Sequence, residues 1–186
     1  MADLSAVPWN KFPTRPAPAD QVSRNFRFYE LTRSELAARL RIDNLFAGGK
    51  ALRSAVHLCR AVLQPLREEF GRFTPNSVYR SQALERALKK KPASWTSASQ
   101  HTTGEACDVE IPGMATLELA RWISRNLGFD QLILECFDAA RGPSSGWVHV
   151  SLRAPGAGAN RRELLSYVYD RRAGRYAYLQ GLRGVA

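Results

Sequence analysis

The chain has 186 residues, 45% hydrophobic and 24% charged, which suits one globular domain with a real core. Its net charge of +10 favours anionic partners: nucleic acid, anionic lipid or an anionic cell envelope. No run of about 18 apolar residues occurs, so no membrane span is expected, and the start "MADLSAVPWNKFPTRP" lacks the basic-then-apolar order of a secretory signal.

Residues 1–25 contain Pro8, Pro13, Pro16 and Pro18 and read as an extended arm, with residues 26–186 as a single domain. "ELTRSELAARL" starts a helix, with Thr32 as N-cap, Glu35 as its capping-box partner, and Leu31 with Leu36 as a hydrophobic staple. "ALRSAVHLCRAVLQPLREEFG" is the longest helical pattern. Leu52, Val56, Cys59, Leu63, Leu66 and Phe70 recur along one face, Pro65 should kink it, and Gly71 should stop it. "TPNSVYRS" is a short strand or loop, and "SQALERALKKK" a helix capped by Ser81.

"EACDVEI" alternates, with Ala106, Asp108 and Glu110 on one face. "TLELARWISRNLG" is a helix capped by Thr116 and ended by Gly128. "DQLILECF" and "GWVHVSL" are strands, the first with Gln131, Ile133 and Glu135 on one face, the second with Trp147, His149 and Ser151. "LLSYVYDRRAGRYAYL" reads as two strands joined near Ala173–Gly174. Interspersed helices and hairpin-like strands predict an α+β fold, with a small antiparallel sheet packed against several helices. Cys59, Cys107 and Cys136 stand at unrelated spacings. They read as reduced, mostly buried thiols in a chain made in the cytosol, and no ligand set for a structural zinc finger exists.

"SASQHTTGEACDVEIPG" holds one of only three histidines close to an aspartate. If the strands pair in one sheet, Asp108, His149 and Glu135 line one face, and His101 joins them from a loop that Gly104 lets turn tightly. Two imidazoles and a carboxylate form a catalytic zinc set: three protein ligands leave the fourth tetrahedral position for water, whose pKa falls toward about 7. A nearby carboxylate can move the proton, and a cation can stabilise the oxyanion. Each residue also has a plainer reading. A histidine at a strand end often simply packs, Asp108 can bond a turn, and Glu135 can be an exposed charge. His57, within the long helix, is assigned no role.

Ser99, His101, Gly104, Ala106 and Asp108, followed by Trp147 and His149, together resemble the signature of the zinc D-alanyl-D-alanine carboxypeptidases. That family includes VanX-like D,D-dipeptidases and phage endolysin peptidases. Upstream, Tyr79–Arg80–Ser81 fits the same pattern, and the resemblance runs from about Asn25 to "NRRELL". It implies a zinc peptidase domain acting on peptidoglycan stem peptides. Zn2+ would be held by His101, Asp108 and His149, Arg80 would steady the tetrahedral intermediate or the substrate carbonyl, and Ser99 would bond substrate.

Three departures stand out. The general-base glutamate that the dipeptidase branch carries just before its last histidine is replaced by Gly146, which leaves Glu135 as the favoured base and Glu110 as its rival. Val78 stands where relatives often have glycine, and the basic "KKKPASWTS" reads as a solvated loop. Positive charge would hold the protein on an anionic envelope without membrane insertion. By association with the family, the lack of a signal fits synthesis in the cytoplasm and action at the cell wall, as in a phage-borne lysin. Two other classes remain open: a basic nucleic-acid-binding module, to which "RRAGRY" would contribute, though nucleic acid is the less favoured partner, and a zinc-stabilised virion component without turnover.

Overall fold

The computed structural model of the chain describes residues 1–170 and 173–183. Arg171 and Arg172 of the basic "RRAGRY" stretch lie outside the described residues. The chain is α+β, as expected, and divides into two compact units. One comprises Met1–Gly71 with Pro75–Cys107, the other Arg72–Thr74 with Asp108–Ala186.

The first unit is mainly helical. It holds strands β1 (Gln21–Ser23) and β2 (Phe26–Arg27), and helices α1 (Glu35–Leu40), α2 (Gly49–Leu58), α3 (Gln64–Phe70) and α4 (Gln82–Leu88). Between α2 and α3 the long helical pattern widens into a π-type segment, Cys59–Leu63. Pro65 gives the reason: without an N–H it cannot bond the carbonyl four residues back, and its ring crowds that carbonyl, so the preceding turn opens instead of breaking. The apolar face predicted from the sequence is the core of this unit. Leu52, Val56, Cys59, Leu63 and Leu66 are buried with Phe12, Phe26 and Leu31.

Within residues 1–25, Arg60 reaches back from the π segment and donates to the carbonyls of Leu4 and Val22, both at 2.8 Å. Two capping assignments are corrected. Ser34, not Thr32, caps α1, accepting from the Ala37 N–H at 3.2 Å, because Thr32 is taken up by the turn before it, its hydroxyl bonding the Tyr29 carbonyl. Thr116 is the first residue of its helix rather than its cap, its N–H donating to the Pro143 carbonyl. Ser81 caps α4 as expected, accepting from the Leu84 N–H.

The second unit is built on the sheet. Strand β3 (Ala106–Val109) leads into it from the first unit and is followed by helix α5 (Thr116–Asn126), β4 (Gln131–Glu135), β5 (Trp147–Ser151), β6 (Glu163–Asp170) and β7 (Arg175–Gln180). The spatial order is β3-β5-β4-β6-β7. The β4–β5 and β6–β7 pairs are antiparallel hairpins, whereas β4 and β6 run parallel, because the chain leaves β5 and crosses back to the far side of β4. Leu132, Leu134, Val148 and Val150 point to one face, fully buried, where Leu119, Ala120 and Ile123 of α5 pack. The opposite face is the one on which polar side chains alternate in, as the period-2 reading required.

A buried carboxylate fixes the crossover. Asp130 is fully buried and receives Arg161 at 2.6 Å and Arg153 at 2.9 Å, together with the Arg161 backbone N–H at 3.0 Å. No helix among the described residues is long and apolar enough to cross a membrane.

Candidate metal centre

His101 sits in a single helical turn, Gln100–Thr103, that Gly104 closes with φ of 73°. A Cβ at Gly104 would lie 2.1 Å from the Ala51 carbonyl oxygen of α2, so only glycine lets this turn seat against that helix. The His101 ring is buried, and its Nδ1 lies 2.7 Å from the Val78 carbonyl oxygen. A carbonyl only accepts, so Nδ1 carries the proton, and Nε2 keeps its lone pair for a ligand. This backbone bond on the second ring nitrogen is the usual way a metal-binding imidazole is oriented.

Asp108 lies on β3 and His149 on β5, neighbours in the sheet, and His149 Nδ1 is 3.0 Å from Asp108 Oδ1. Both are buried. One ligand atom each from His101, Asp108 and His149 lie within 4.8 Å of one another. A tetrahedral ion with bonds of about 2.0–2.2 Å spaces its ligand atoms by roughly 3.4 Å, so the three atoms are on the scale of a single centre. A buried carboxylate facing two imidazoles, one of them held with its lone pair available, fits a borderline divalent cation.

Residues 24–151 match the family model of Peptidase M15, a span that contains all three of these residues. The chain belongs to the Peptidase M15 family. No curated protein and no solved structure gives a significant match. As an M15 peptidase the chain is a metal-dependent hydrolase of peptide bonds, and among the described residues the His-Asp-His cluster is a group that could hold the metal. Strands β6 and β7 lie beyond the matched span.

The remaining predicted residues of this M15 peptidase fall as follows. Glu135 ends β4 opposite Trp147, and Ile133 is opposite His149. Paired residues share a face, so Glu135 is a diagonal neighbour of His149 on the same side of the sheet, about 7–8 Å away by strand geometry. Glu135 is half-buried, and across β6 it meets Tyr167. Its negative charge is felt nearby: burial, and after it Glu135, push the Cys136 thiol and the Tyr178 hydroxyl above their ordinary values. Glu110, the rival, is exposed and follows the end of β3.

Gly146 explains why no carboxylate stands just before Trp147. Its φ is 69°, and a Cβ there would lie 2.1 Å from the Glu135 carbonyl oxygen. Arg80 donates its backbone N–H to the His101 carbonyl at 3.2 Å, so it adjoins the turn that carries His101 through the main chain. Ser99 opens that turn and is half-buried; its carbonyl accepts from Thr102, and its side chain makes no capping bond.

Sequence reasoning missed two features. Glu85 of α4 is fully buried against Arg80, Lys89 and Ser97. The available signal was its place on the same helical face as Ser81 and Leu84. The Val78 carbonyl is the other. Its bond to His101 leaves no trace in the sequence, because it depends on the path of the main chain rather than on any side chain.

Proposed function

We propose that this M15 peptidase is a zinc enzyme that hydrolyses an amide bond in peptidoglycan stem peptides. His101, Asp108 and His149 hold the zinc, and the observation that carries the reading is the approach of their ligand atoms to within 4.8 Å. Bound there, zinc would supply a Lewis acid that polarises the scissile carbonyl and makes water acidic enough to attack near neutral pH.

The residues of the chain do the rest. Glu135 takes a proton from the attacking water as the C–O bond forms, then delivers it to the amine nitrogen as the C–N bond breaks. Arg80 stabilises the negative charge that collects on the carbonyl oxygen, and Ser99 bonds the substrate backbone. Support for Glu135 over Glu110 comes from its position on the His149 face of the sheet and from the exposure of Glu110.

Incubating the chain with purified peptidoglycan and identifying the released fragments by mass spectrometry tests the reading. Released D-alanine, a D-Ala-D-Ala dipeptide or uncrosslinked stem peptides would support it and say which bond is cut. Intact muropeptides with a zinc-loaded chain would refute it. His101→Ala and Asp108→Ala are expected to lose both metal and turnover. Glu135→Gln should keep one zinc per chain and lose about 10²–10⁴-fold in kcat, and full turnover in that variant would remove Glu135 from the role.

A further inference from the structure

Arg80 is held by its side chain as well as by its backbone. Its Nε donates to Ser77 Oγ at 2.8 Å, and its Nη1 to Glu85 Oε1 at 3.2 Å. Glu85 is fully buried, and its second oxygen receives the Lys89 ammonium and the Ser97 hydroxyl, both at 2.8 Å. Ser97 passes the constraint onward. Its N–H donates to Gln82 of α4, and its hydroxyl oxygen accepts the Ser99 N–H at 3.2 Å, two residues before His101. One buried carboxylate therefore ties the Arg80 guanidinium, the last turn of α4 and the segment entering the metal-binding turn into a single network.

Burying a carboxylate and its cations is an inefficient way to stabilise a helix, since apolar side chains of like volume often do as well or better. What the network does supply is a fixed direction. A guanidinium anchored by two bonds on its own side chain gives up little further freedom when a developing charge arrives.

We infer that Glu85 is a positioning residue, which orients the Arg80 guanidinium, and the Ser97–Ser99 segment with it, for the hydrolytic step. The inference rests on the assignment of Arg80 as the charge-stabilising cation.

A double-mutant cycle in the full-length, zinc-loaded chain tests it, with a soluble muropeptide ending in D-Ala-D-Ala as substrate. Arg80→Ala, Glu85→Gln and the double variant are each measured for kcat, KM, zinc content and melting temperature. Glu85→Gln should keep one zinc per chain and lower the same constant that Arg80→Ala lowers, by about 10–100-fold. It should cost less than about 3-fold once Arg80 is already alanine. Glu85→Asp keeps the charge but withdraws it by one methylene; it should recover part of the loss, and it carries the cycle if the glutamine variant does not fold.

Equal losses in the wild-type and Arg80→Ala backgrounds would overturn the inference by making Glu85 purely structural. So would a loss confined to the other kinetic constant, or wild-type rates in either single variant. A wild-type chain that binds zinc and leaves the muropeptide intact overturns the peptidase reading instead, a result that needs no variant to be seen.

Discussion

Position 104 admits no side chain. The positive φ of Gly104 and a would-be Cβ at 2.1 Å from the Ala51 carbonyl act together, and main chain cannot give way as a flexible side chain can. Gly104→Ala is expected to destabilise the chain by more than about 2 kcal/mol and to weaken metal binding, because His101 rides on the turn that must shift. Melting temperature and zinc affinity measured on the same preparation check both parts. Cys59 offers a second residue-level test. Burial pushes its thiol up to about 12, so a thiol reagent at neutral pH should leave it unmodified until the chain unfolds. Rapid labelling of Cys59 in the folded protein would contradict its placement in the core.

Among the elements, the Glu85 network and the Asp130 latch each gather several cations around one buried carboxylate. Burial alone would raise the Glu85 carboxyl, but the bonds from Lys89, Ser97 and Arg80 outweigh it and hold it below the usual carboxylate range. A depressed folded value means that its contribution to stability is full above the unfolded value of about 4.3 and is lost as pH falls through the folded one. The melting temperature should therefore drop below about pH 4.5, and Glu85→Gln should flatten that part of the curve. Asp130→Ala should cost about 1–3 kcal/mol, the low side because Arg153 and Arg161 are partly exposed and can turn to water. Denaturant melts of the variant measure it.

These elements also mark what was legible beforehand. The alternation in "EACDVEI", "DQLILECF" and "GWVHVSL" was readable, because successive side chains of a strand point to opposite faces. So were the Ser81 cap and the core stripe of α2 and α3. Thr32 and Thr116 were misplaced because a hydroxyl near a helix start has several local acceptors, and the sequence does not say which wins. Glu85 was not singled out, since its burial depends on Arg80 and Ser97 arriving from separate segments to join Lys89 one helical turn on. The parallel β4–β6 pair depends on the path after β5, which no periodicity records.

At the scale of the whole molecule, the net charge of +10 should concentrate the protein on an anionic cell wall. Exposed charges are screened over about 10 Å at 0.1 M salt and about 3 Å at 1 M, so co-sedimentation with purified walls should weaken steeply across that range. Binding that is indifferent to salt would point to recognition by shape instead. All of the proposed chemistry depends on the meeting of His101, Asp108 and His149, three residues drawn from a turn and two strands. Diffraction from crystals of the full chain, recorded on both sides of the zinc absorption edge, tests that meeting most directly. A single anomalous peak is expected within bonding distance of those three side chains. A peak elsewhere, or none in protein supplied with zinc, would contradict it.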